Sequence, residues 1–209
     1  MFKSITSILA FTLLIVINGN SQETKKEPRN KGLYVTTSVG VNKIQGKLVE
    51  TFRHSIAFNS GFEKSIGKNW YLQLDLSFNT VKYDQQNKDE HSNYLFQKTS
   101  SSHIGADIDL GHDFNLGKSR FFVSPYVGTG VLSIGEPRIR LNESTGVITQ
   151  SVIRKGGVLG KAGSRIAFNS KSKILQTIYL DGSYWMSSIK INQLSLRSIS
   201  VFLGIRMAM

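Results

Sequence analysis

A serine, a histidine and an acidic residue lie close together in the sequence at Glu50, His54 and Ser55. Hydrolases and acyltransferases use this set, because a serine hydroxyl needs a nearby base to take its proton. His54 and Ser55 are adjacent, however, and adjacent residues of a strand point to opposite faces. Of the other histidines, His91 lies in a polar loop, whereas His103 and His112 are isolated on a predicted strand. The pattern favours chance occurrence, so we predict no catalytic residue.

The sequence contains no stronger pattern for a phosphate, metal or cofactor site than for a catalytic one. Residues 156–161 superficially resemble a phosphate-binding loop, but the first glycine is wrongly spaced and no serine or threonine follows Lys161. The chain has no cysteine, which excludes disulfides and cysteine-ligated metal. No spacing of histidine or carboxylate residues matches a metal site. We therefore predict no metal and no cofactor, and we expect these glycines to admit close strand approach or larger neighbouring side chains.

Charged residues of both signs recur at positions that would share one face of alternating segments. That face would place carboxylate, ammonium and guanidinium groups in one narrow interior, where an unpaired charge is very costly. The sequence thus predicts an internal network of salt bridges and hydrogen bonds. The alternative is a proton or ion path, which would need a continuous file of water. The predicted network consists of Glu63, Asp75, Asp107, Asp109, Lys161, Arg165, Asp181 and Arg206.

These residues need strands to position them, and the sequence alternates as strands do. From Trp70 to Asn79 the even positions are apolar, whereas most odd positions are polar, which is the period of a strand with two different faces. No stretch with a helical period competes. Strands are predicted at residues 33–42, 55–66, 70–83, 95–114, 121–134, 157–168, 174–186 and 194–209.

The N-terminus resembles a secretory signal peptide. A positive start up to Lys3 precedes an almost unbroken apolar run from Ile5 to Ile17, and the small residues Gly19 and Ser21 suit signal peptidase. The apolar run is shorter than the roughly 20 residues that a spanning helix needs. We predict a cleaved signal peptide at residues 1–21, a periplasmic leader at 22–31 and one folded domain at 32–209.

Alternation suits a soluble sandwich with its apolar face inside, or a membrane barrel with its apolar face outside. Connection lengths favour the barrel, because outer-membrane barrels pair short periplasmic turns with longer outer loops. Short connections are predicted at residues 67–69, 115–120 and 169–173. Longer ones are predicted at 43–54, 84–94 and 135–156, followed by a modest loop near 187–193. This order places both termini on the periplasmic side.

Aromatic placement also favours the barrel, since Trp, Tyr and Phe collect where a barrel meets the lipid interfaces. The predicted outward faces carry five aromatic residues at the periplasmic ends of strands, namely Phe62, Trp70, Phe114, Phe121 and Phe168. A sparser outer girdle is expected from Tyr83, Phe96 and Tyr184 or Trp185. The alternative is that these residues fill a soluble core.

The net charge of +12 would suggest nucleic acid for a soluble protein. An exported protein would not meet nucleic acid, so we predict no nucleic-acid partner. The polyanions that we expect it to contact are outer-membrane lipids and lipopolysaccharide. The predicted periplasmic ends carry Lys64, Lys68, Lys118, Arg120, Lys171 and Lys173. The outer loops mix Lys43, Lys47, Arg53, Arg138, Arg140, Arg154 and Lys155 with Glu50, Glu136 and Glu143. A protein partner for these outer loops is possible.

The signal peptide, the alternating strands, the Ser-Pro-Tyr-Val-Gly-Thr-Gly stretch at residues 124–130 and the amphipathic closing strand together resemble the small outer-membrane β-barrel proteins of Bacteroidota. The broader likeness is to the OmpX, OmpW and opacity-protein group. It implies an antiparallel transmembrane barrel of about eight strands with a side-chain-filled lumen. It also implies export through the general secretory pathway and insertion into a Gram-negative outer membrane by the barrel-assembly machinery. The assembly signal of such proteins usually ends in Phe or Trp, whereas this chain ends in Met209.

The resemblance implies a fold family without fixing an activity, because such barrels serve as adhesins, structural proteins, transporters and secretion subunits. The sequence predicts a non-enzymatic outer-membrane barrel with a structural or interaction role. One alternative is a subunit of a secretion or surface-assembly complex. Another is a barrel enzyme that modifies lipid A.

Overall fold

The computed structural model describes residues 32–86, 95, 97–142, 144–170, 172 and 174–209. The predicted signal peptide and leader lie outside the described residues. So do His91, Phe96, Glu143, Lys171 and Lys173. Among the described residues, no helix is long and apolar enough to cross a membrane.

In the part of the chain that the structure describes, nine antiparallel strands build a closed barrel. In ring order the neighbours are β4-β3-β2-β1-β9-β8-β7-β6-β5, and the pairing of β4 with β6 closes the ring. The strands are β1 (Leu33–Ile44), β2 (Ser55–Ser65), β3 (Trp70–Tyr83), β4 (Thr99–His112), β5 (Phe114–Asn115), β6 (Phe121–Asn142), β7 (Val147–Asn169), β8 (Leu175–Ile191) and β9 (Leu194–Ala208).

The two-residue β5 continues β4 along the same stretch of β6. Gly111 pairs with Tyr126 and Phe114 pairs with Val123, so the register is unchanged across the gap. The break falls opposite Pro125, which has no N–H to donate to the ladder. β4 and β5 therefore occupy one strand position in the barrel wall. With that position counted once the wall has eight strands, and the predicted eight-stranded antiparallel barrel is confirmed.

The alternating sequence places its apolar residues outside and its polar residues inside. On β3, Leu74 and Leu76 are 51% and 50% exposed, whereas Gln73 and Asp75 are buried in the lumen. A soluble sandwich would bury the leucines, because burial of apolar area is what drives its folding. An apolar outer wall around a polar interior is the arrangement of transmembrane barrels.

Two predicted loops are strands, and both predictions were wrong for the same reason. Residues 135–156 form a long hairpin between β6 and β7, and β8 continues to Ile191 before turning at Asn192 and Gln193. Both turn residues have positive φ, as the tightest hairpin turns require. Backbone hydrogen bonds between strands form whatever the side chains are, whereas contact with lipid requires apolar side chains at alternate positions. The strands therefore continue beyond the part of the wall in which the sequence alternates. The strand predicted to start at residue 95 starts at Thr99.

The end of the barrel that carries the longer connections, here called the loop end, is closed by apolar side chains. The connection from β1 to β2 contains a short 3₁₀ helix, Gly46–Val49, and turns Leu48 and Phe52 into the barrel mouth. They pack with residues from the surrounding strands. This apolar cap consists of Ile44, Leu48, Phe52, Val81, Tyr83, Leu132, Ile134, Leu159, Ile189, Ile191 and Leu196.

The cap corrects part of the predicted outer aromatic girdle. Tyr83 is buried inside the cap, and Trp185 packs against it from the lumen side. Strand parity places both residues inward, since the buried Asp75 shares the face of Tyr83 on β3 and the buried Asp181 shares the face of Trp185 on β8.

Candidate functional site

The five predicted interface aromatics all lie on the outer wall at the turn end, the end with the short connections β2–β3, β5–β6 and β7–β8. Phe121 and Phe168 are cross-strand neighbours with ring centroids 5.1 Å apart. Trp70 and Phe114 are joined through His112, whose ring lies 4.8 Å from the first and 4.4 Å from the second. Phe62 is exposed on β2. His112, which the sequence left isolated, therefore belongs to this aromatic band.

Arg165 is the centre of the lumen. Its position on β7 faces inward, and its guanidinium donates to Asp181 Oδ2 at 2.7 Å and to Gln73 Oε1 at 2.5 Å. It also lies 3.4 Å from Glu63 Oε2. Three tyrosine rings surround the cation, with Tyr126 and Tyr179 each 5.0 Å and Tyr71 5.6 Å from its centre. Charge pairing and ring contact together hold this buried cation.

Glu63 links Arg165 to a second cation nearer the turn end. Arg206 of β9 donates to Glu63 Oε1 at 3.0 Å. Its guanidinium lies 4.9 Å from the centre of the Tyr34 ring. One carboxylate therefore bridges two guanidinium groups.

Lys161 also faces inward from β7, four residues from Arg165 toward the loop end. Three carboxylates surround its ammonium. Its ammonium donates to Asp107 Oδ1 at 2.6 Å and to Asp109 Oδ2 at 2.7 Å, and it lies 3.9 Å from Asp75 Oδ2. Carboxylate oxygens of the three aspartates lie within 4.8 Å of one another. We call this group the Lys161 cluster. The sequence predicted all four residues as members of the lumen network, but it did not predict that they meet, because the pairing of β3 with β4 brings Asp75 opposite Asp107.

The two halves of the network are connected by residues that charge-based reasoning missed. Gln73 donates to both oxygens of Asp75, at 2.7 and 2.6 Å, while its own carbonyl accepts from Arg165. The Tyr126 hydroxyl donates to Asp181 at 2.8 Å. All eight predicted lumen residues thus lie in one connected set. The missed members share the inward parity of their strands, a signal that was available in the sequence.

One glycine makes room for the Lys161 cluster. Gly128 lies opposite Asp109 in the β4–β6 pair, and a Cβ built on it would come within 1.8 Å of Asp109 Oδ1. Glycine lets the aspartate side chain lie over the neighbouring strand.

A chamber of about 60 Å³ lies in the lumen between part of the Lys161 cluster and residues of the apolar cap. Leu132 and Leu159 of the cap line it, as do Asp75, Asp107 and Lys161. Several buried polar atoms of the described residues that line it have no hydrogen-bond partner. They are Asn42 Oδ1, Asn59 Oδ1, Ser200 Oγ and both ring nitrogens of His103.

A second buried ion group lies where the β6–β7 hairpin leaves the barrel. Glu136 has a fully buried side chain, which accepts from Arg138 at 2.7 Å and from Lys155 at 3.3 Å. Lys155 also donates to the carbonyl of Lys190 on β8 at 3.4 Å. These contacts join the base of the hairpin to the neighbouring strand.

Glu50, His54 and Ser55 do not come together in one site. Ser55 faces the lumen and donates a hydrogen bond to Asn79, whereas Glu50 and His54 are exposed. Basic side chains instead mark both ends of the outer surface. Exposed cations at the loop end include Lys43, Lys47, Arg53, Lys82, Arg154, Lys190 and Arg197, and those at the turn end include Lys64, Lys68, Lys118 and Arg120.

Comparison with solved structures identifies the fold. The chain is similar to Neisserial surface protein A, with a TM-score of 0.51 and 16% identity over 85% of this chain and 97% of that one. A major outer membrane protein from Thermus thermophilus matches with a TM-score of 0.49 and 10% identity over 83% of this chain and 99% of the other. Ail, the attachment invasion locus protein of Yersinia pestis, matches with a TM-score of 0.44 and 11% identity over 84% and 99%.

No protein-family model matches the chain, and no curated protein sequence does. At 16% identity the first of these likenesses establishes the fold, that of the small outer-membrane β-barrels, and nothing about activity.

Proposed function

We propose that this protein is an outer-membrane barrel with a closed lumen that acts in structure and interaction, and that its β6–β7 hairpin is the binding element. The observation that carries the proposal is that hairpin, which continues past the barrel wall with the outer edges of both its strands unpaired in the part of the chain that the structure describes. The barrel would be exported through the general secretory pathway and inserted by the barrel-assembly machinery, with the loop end outside.

The closed lumen argues against a transport role. The Arg165 and Lys161 groups fill the cross-section with paired charge, as the narrow interior of an eight-stranded barrel allows. The apolar cap closes the loop end above them. A water-filled path would have to displace both layers.

The hairpin offers an unpaired edge. β7 pairs with β6 from Val147 to Phe168 but pairs with β8 only from Leu159 to Asn169. Within the described residues, the backbone from Val147 to Gly157 therefore has a ladder partner on one side, and we call it the open edge. Unpaired strand edges are templates for another extended chain.

The open edge also carries side chains that suit a partner. Val147, Ile148 and Val152 are each about half exposed, which is unusual for β-branched residues outside a membrane or an interface. Arg154 is basic and exposed, and residues 147–158 include no acidic residue and no proline. The partner that fits is an extended segment of another protein with acidic and apolar side chains in alternation.

The basic ends of the outer wall support a second contact, with lipid. Their exposed lysine and arginine side chains lie at the two levels where phosphate groups border an apolar band. Lipopolysaccharide phosphates at the loop end would anchor the barrel without defining a catalytic site.

The test compares the full chain with a variant whose hairpin is shortened by joining Pro137 to Val152 through Asn-Gly. Both proteins are crosslinked in native membranes and purified. We expect the full chain to carry a stoichiometric protein partner and the shortened variant to lose it, while Lys47→Ala, in a neighbouring loop, keeps it. Equal partner recovery by the shortened variant would contradict the hairpin's role. Recovery in the soluble periplasm would contradict the membrane assignment.

A further inference from the structure

We propose that the open edge pairs with the same edge of a second copy of this chain, and that the two barrels belong to facing membranes. The inference rests on the hairpin's proposed binding role, but it needs no second kind of protein. A second copy and the acidic partner proposed above would compete for the same edge.

The open edge carries a sequence that is symmetric in side-chain class. Residues 147–153 read Val-Ile-Thr-Gln-Ser-Val-Ile, with Gln150 at the centre. Two copies paired antiparallel about a two-fold axis at Gln150 bring apolar residues opposite apolar ones and polar residues opposite polar ones. Such an interface is isologous, because both copies contribute the same surface patch. The opposed residues are Val147 with Ile153, Ile148 with Val152, Thr149 with Ser151 and Gln150 with its own copy.

Only one register gives this match. Directly opposed residues of an antiparallel pair point to the same face, so a symmetric pair must be centred on a residue. A centre at Thr149 would place Ile148 opposite Gln150, and a centre at Ser151 would place Ile148 opposite Arg154. The sequence therefore specifies the centre at Gln150.

The open edge lacks the features that normally protect strand edges, which include charged side chains, proline and bulges. Residues 147–153 contain no charge and no proline, and the β6–β7 ladder runs through the hairpin without a register shift. Val147 and Ile148 point to opposite faces of β7, yet they are 52% and 53% exposed. Neither face is covered there by the barrel, so self-pairing would cover apolar side chains on both.

The basic residues do not oppose the pairing. Arg154 lies just outside the paired segment and would face Gly146 of the second copy. The two Arg154 side chains would then lie roughly 27 Å apart, at about 3.4 Å per residue. Salt screens charges at that separation, since the Debye length is about 8 Å at physiological ionic strength. An acidic partner, by contrast, would gain from Arg154, which is why it would compete with the second copy.

The tilt of the strands determines where the second barrel lies. The axis of the pair is perpendicular to both paired strands, and strands of a small barrel tilt by about 35 to 45° from the barrel axis. Because the hairpin continues the barrel wall, the two-fold axis stands at least about 45° from the barrel axis. Two upright barrels in one membrane would need a two-fold axis parallel to the barrel axis. The second copy therefore lies in a facing membrane.

Cysteine cross-linking tests the register in the purified full barrel, refolded in detergent and treated with a mild oxidant. The chain has no cysteine, so each variant carries a single thiol. Gln150→Cys should give a disulfide-linked dimer, because its two copies meet on the axis. Val147→Cys alone should give none, because its two copies lie roughly 20 Å apart at about 3.4 Å per residue. A mixture of Val147→Cys with Ile153→Cys should cross-link.

Charge exchange tests the pairing without a covalent bond. Gln150→Lys places two like charges on the axis, and so does Gln150→Glu, so each variant alone should sediment as a monomer. An equimolar mixture of the two should sediment as a dimer, as the unmutated protein does. This recovery also shows that both variants fold.

Vesicle adhesion tests the facing membranes. Phosphatidylcholine vesicles that carry the unmutated barrel should adhere to one another, measured by energy transfer between two lipid dyes. Vesicles with Gln150→Lys should adhere only to vesicles with Gln150→Glu. Dimers without adhesion would place both copies in one membrane and overturn that part of the proposal.

Equal cross-linking by Gln150→Cys and Val147→Cys would overturn the self-pairing itself. No other protein is present in these experiments, so their failure leaves the proposed protein partner standing. Failure to capture that partner from native membranes would likewise leave the self-pairing standing.

Discussion

Arg165 on β7 and Asp181 on β8 lie directly opposite each other in the strand pair, and Arg165 Nε lies 2.7 Å from Asp181 Oδ2. The same guanidinium reaches Gln73 on β3 and Glu63 on β2, on the far side of the ring. One side chain therefore connects β7 to β2 and β3, two strands that do not pair with β7. Ion pairs and hydrogen bonds across the lumen, rather than an apolar core, connect opposite sides of the barrel at this level.

Replacement of Arg165 by Leu should destabilise the barrel without opening it. The change leaves Asp181 without its cation in a buried site, and breaking such a pair typically costs about 3 to 5 kcal/mol. We expect a lower urea midpoint in detergent and little change in conductance in planar bilayers. Arg53→Leu, at the exposed rim, is the control. A large selective current in the unmutated protein would contradict the closed lumen.

Gly128→Ala should be destabilising because the new methyl group would collide with the Asp109 carboxylate and with the carbonyl of Ile108. Crowding of this kind costs about 1 to 3 kcal/mol. Gly160→Ala is a matched control on the neighbouring strand, since a Cβ there meets nothing within 4 Å. The urea midpoints of the two variants measure the difference. Equal midpoints would mean that Asp109 moves aside freely.

Phe52→Ala should loosen the apolar cap. Phe52 is 1% exposed and packs against Tyr83 with ring centroids 5.2 Å apart, so truncation should cost about 3 to 5 kcal/mol. The control is Val49→Ala in the same connection, whose side chain is exposed. Conductance should stay low in both variants, because the charged layer remains. Limited proteolysis of residues 45–54 should become faster in Phe52→Ala alone.

Export should remove residues 1–21, since Gly19 and Ser21 fit the cleavage rule and the apolar run is short. N-terminal sequencing of protein from the outer membrane should therefore begin at Gln22. A mature protein beginning at Met1 would indicate an uncleaved anchor.

The sequence by itself determined which side chains face the lumen. Alternation with a period of two assigns each residue of a strand to a face, so Asp75 and Arg165 could be placed inside from their neighbours alone. The same rule placed Trp70 and Phe121 on the outer wall. Strand number followed as well, because each apolar stretch must cross the same thickness of membrane.

The tertiary structure alone decided which of the inward residues meet. Lys161 binds aspartates that lie 52 and 54 positions away, and that pairing depends on the stagger between β4, β6 and β7 as the ring closes. Alternation fixes a face but leaves the stagger of neighbouring strands open by any even number of residues. The cap and the hairpin were missed for a related reason. Strands that extend beyond the membrane do not need an apolar face. The alternation of apolar and polar residues therefore stops before the backbone pairing of the strands stops.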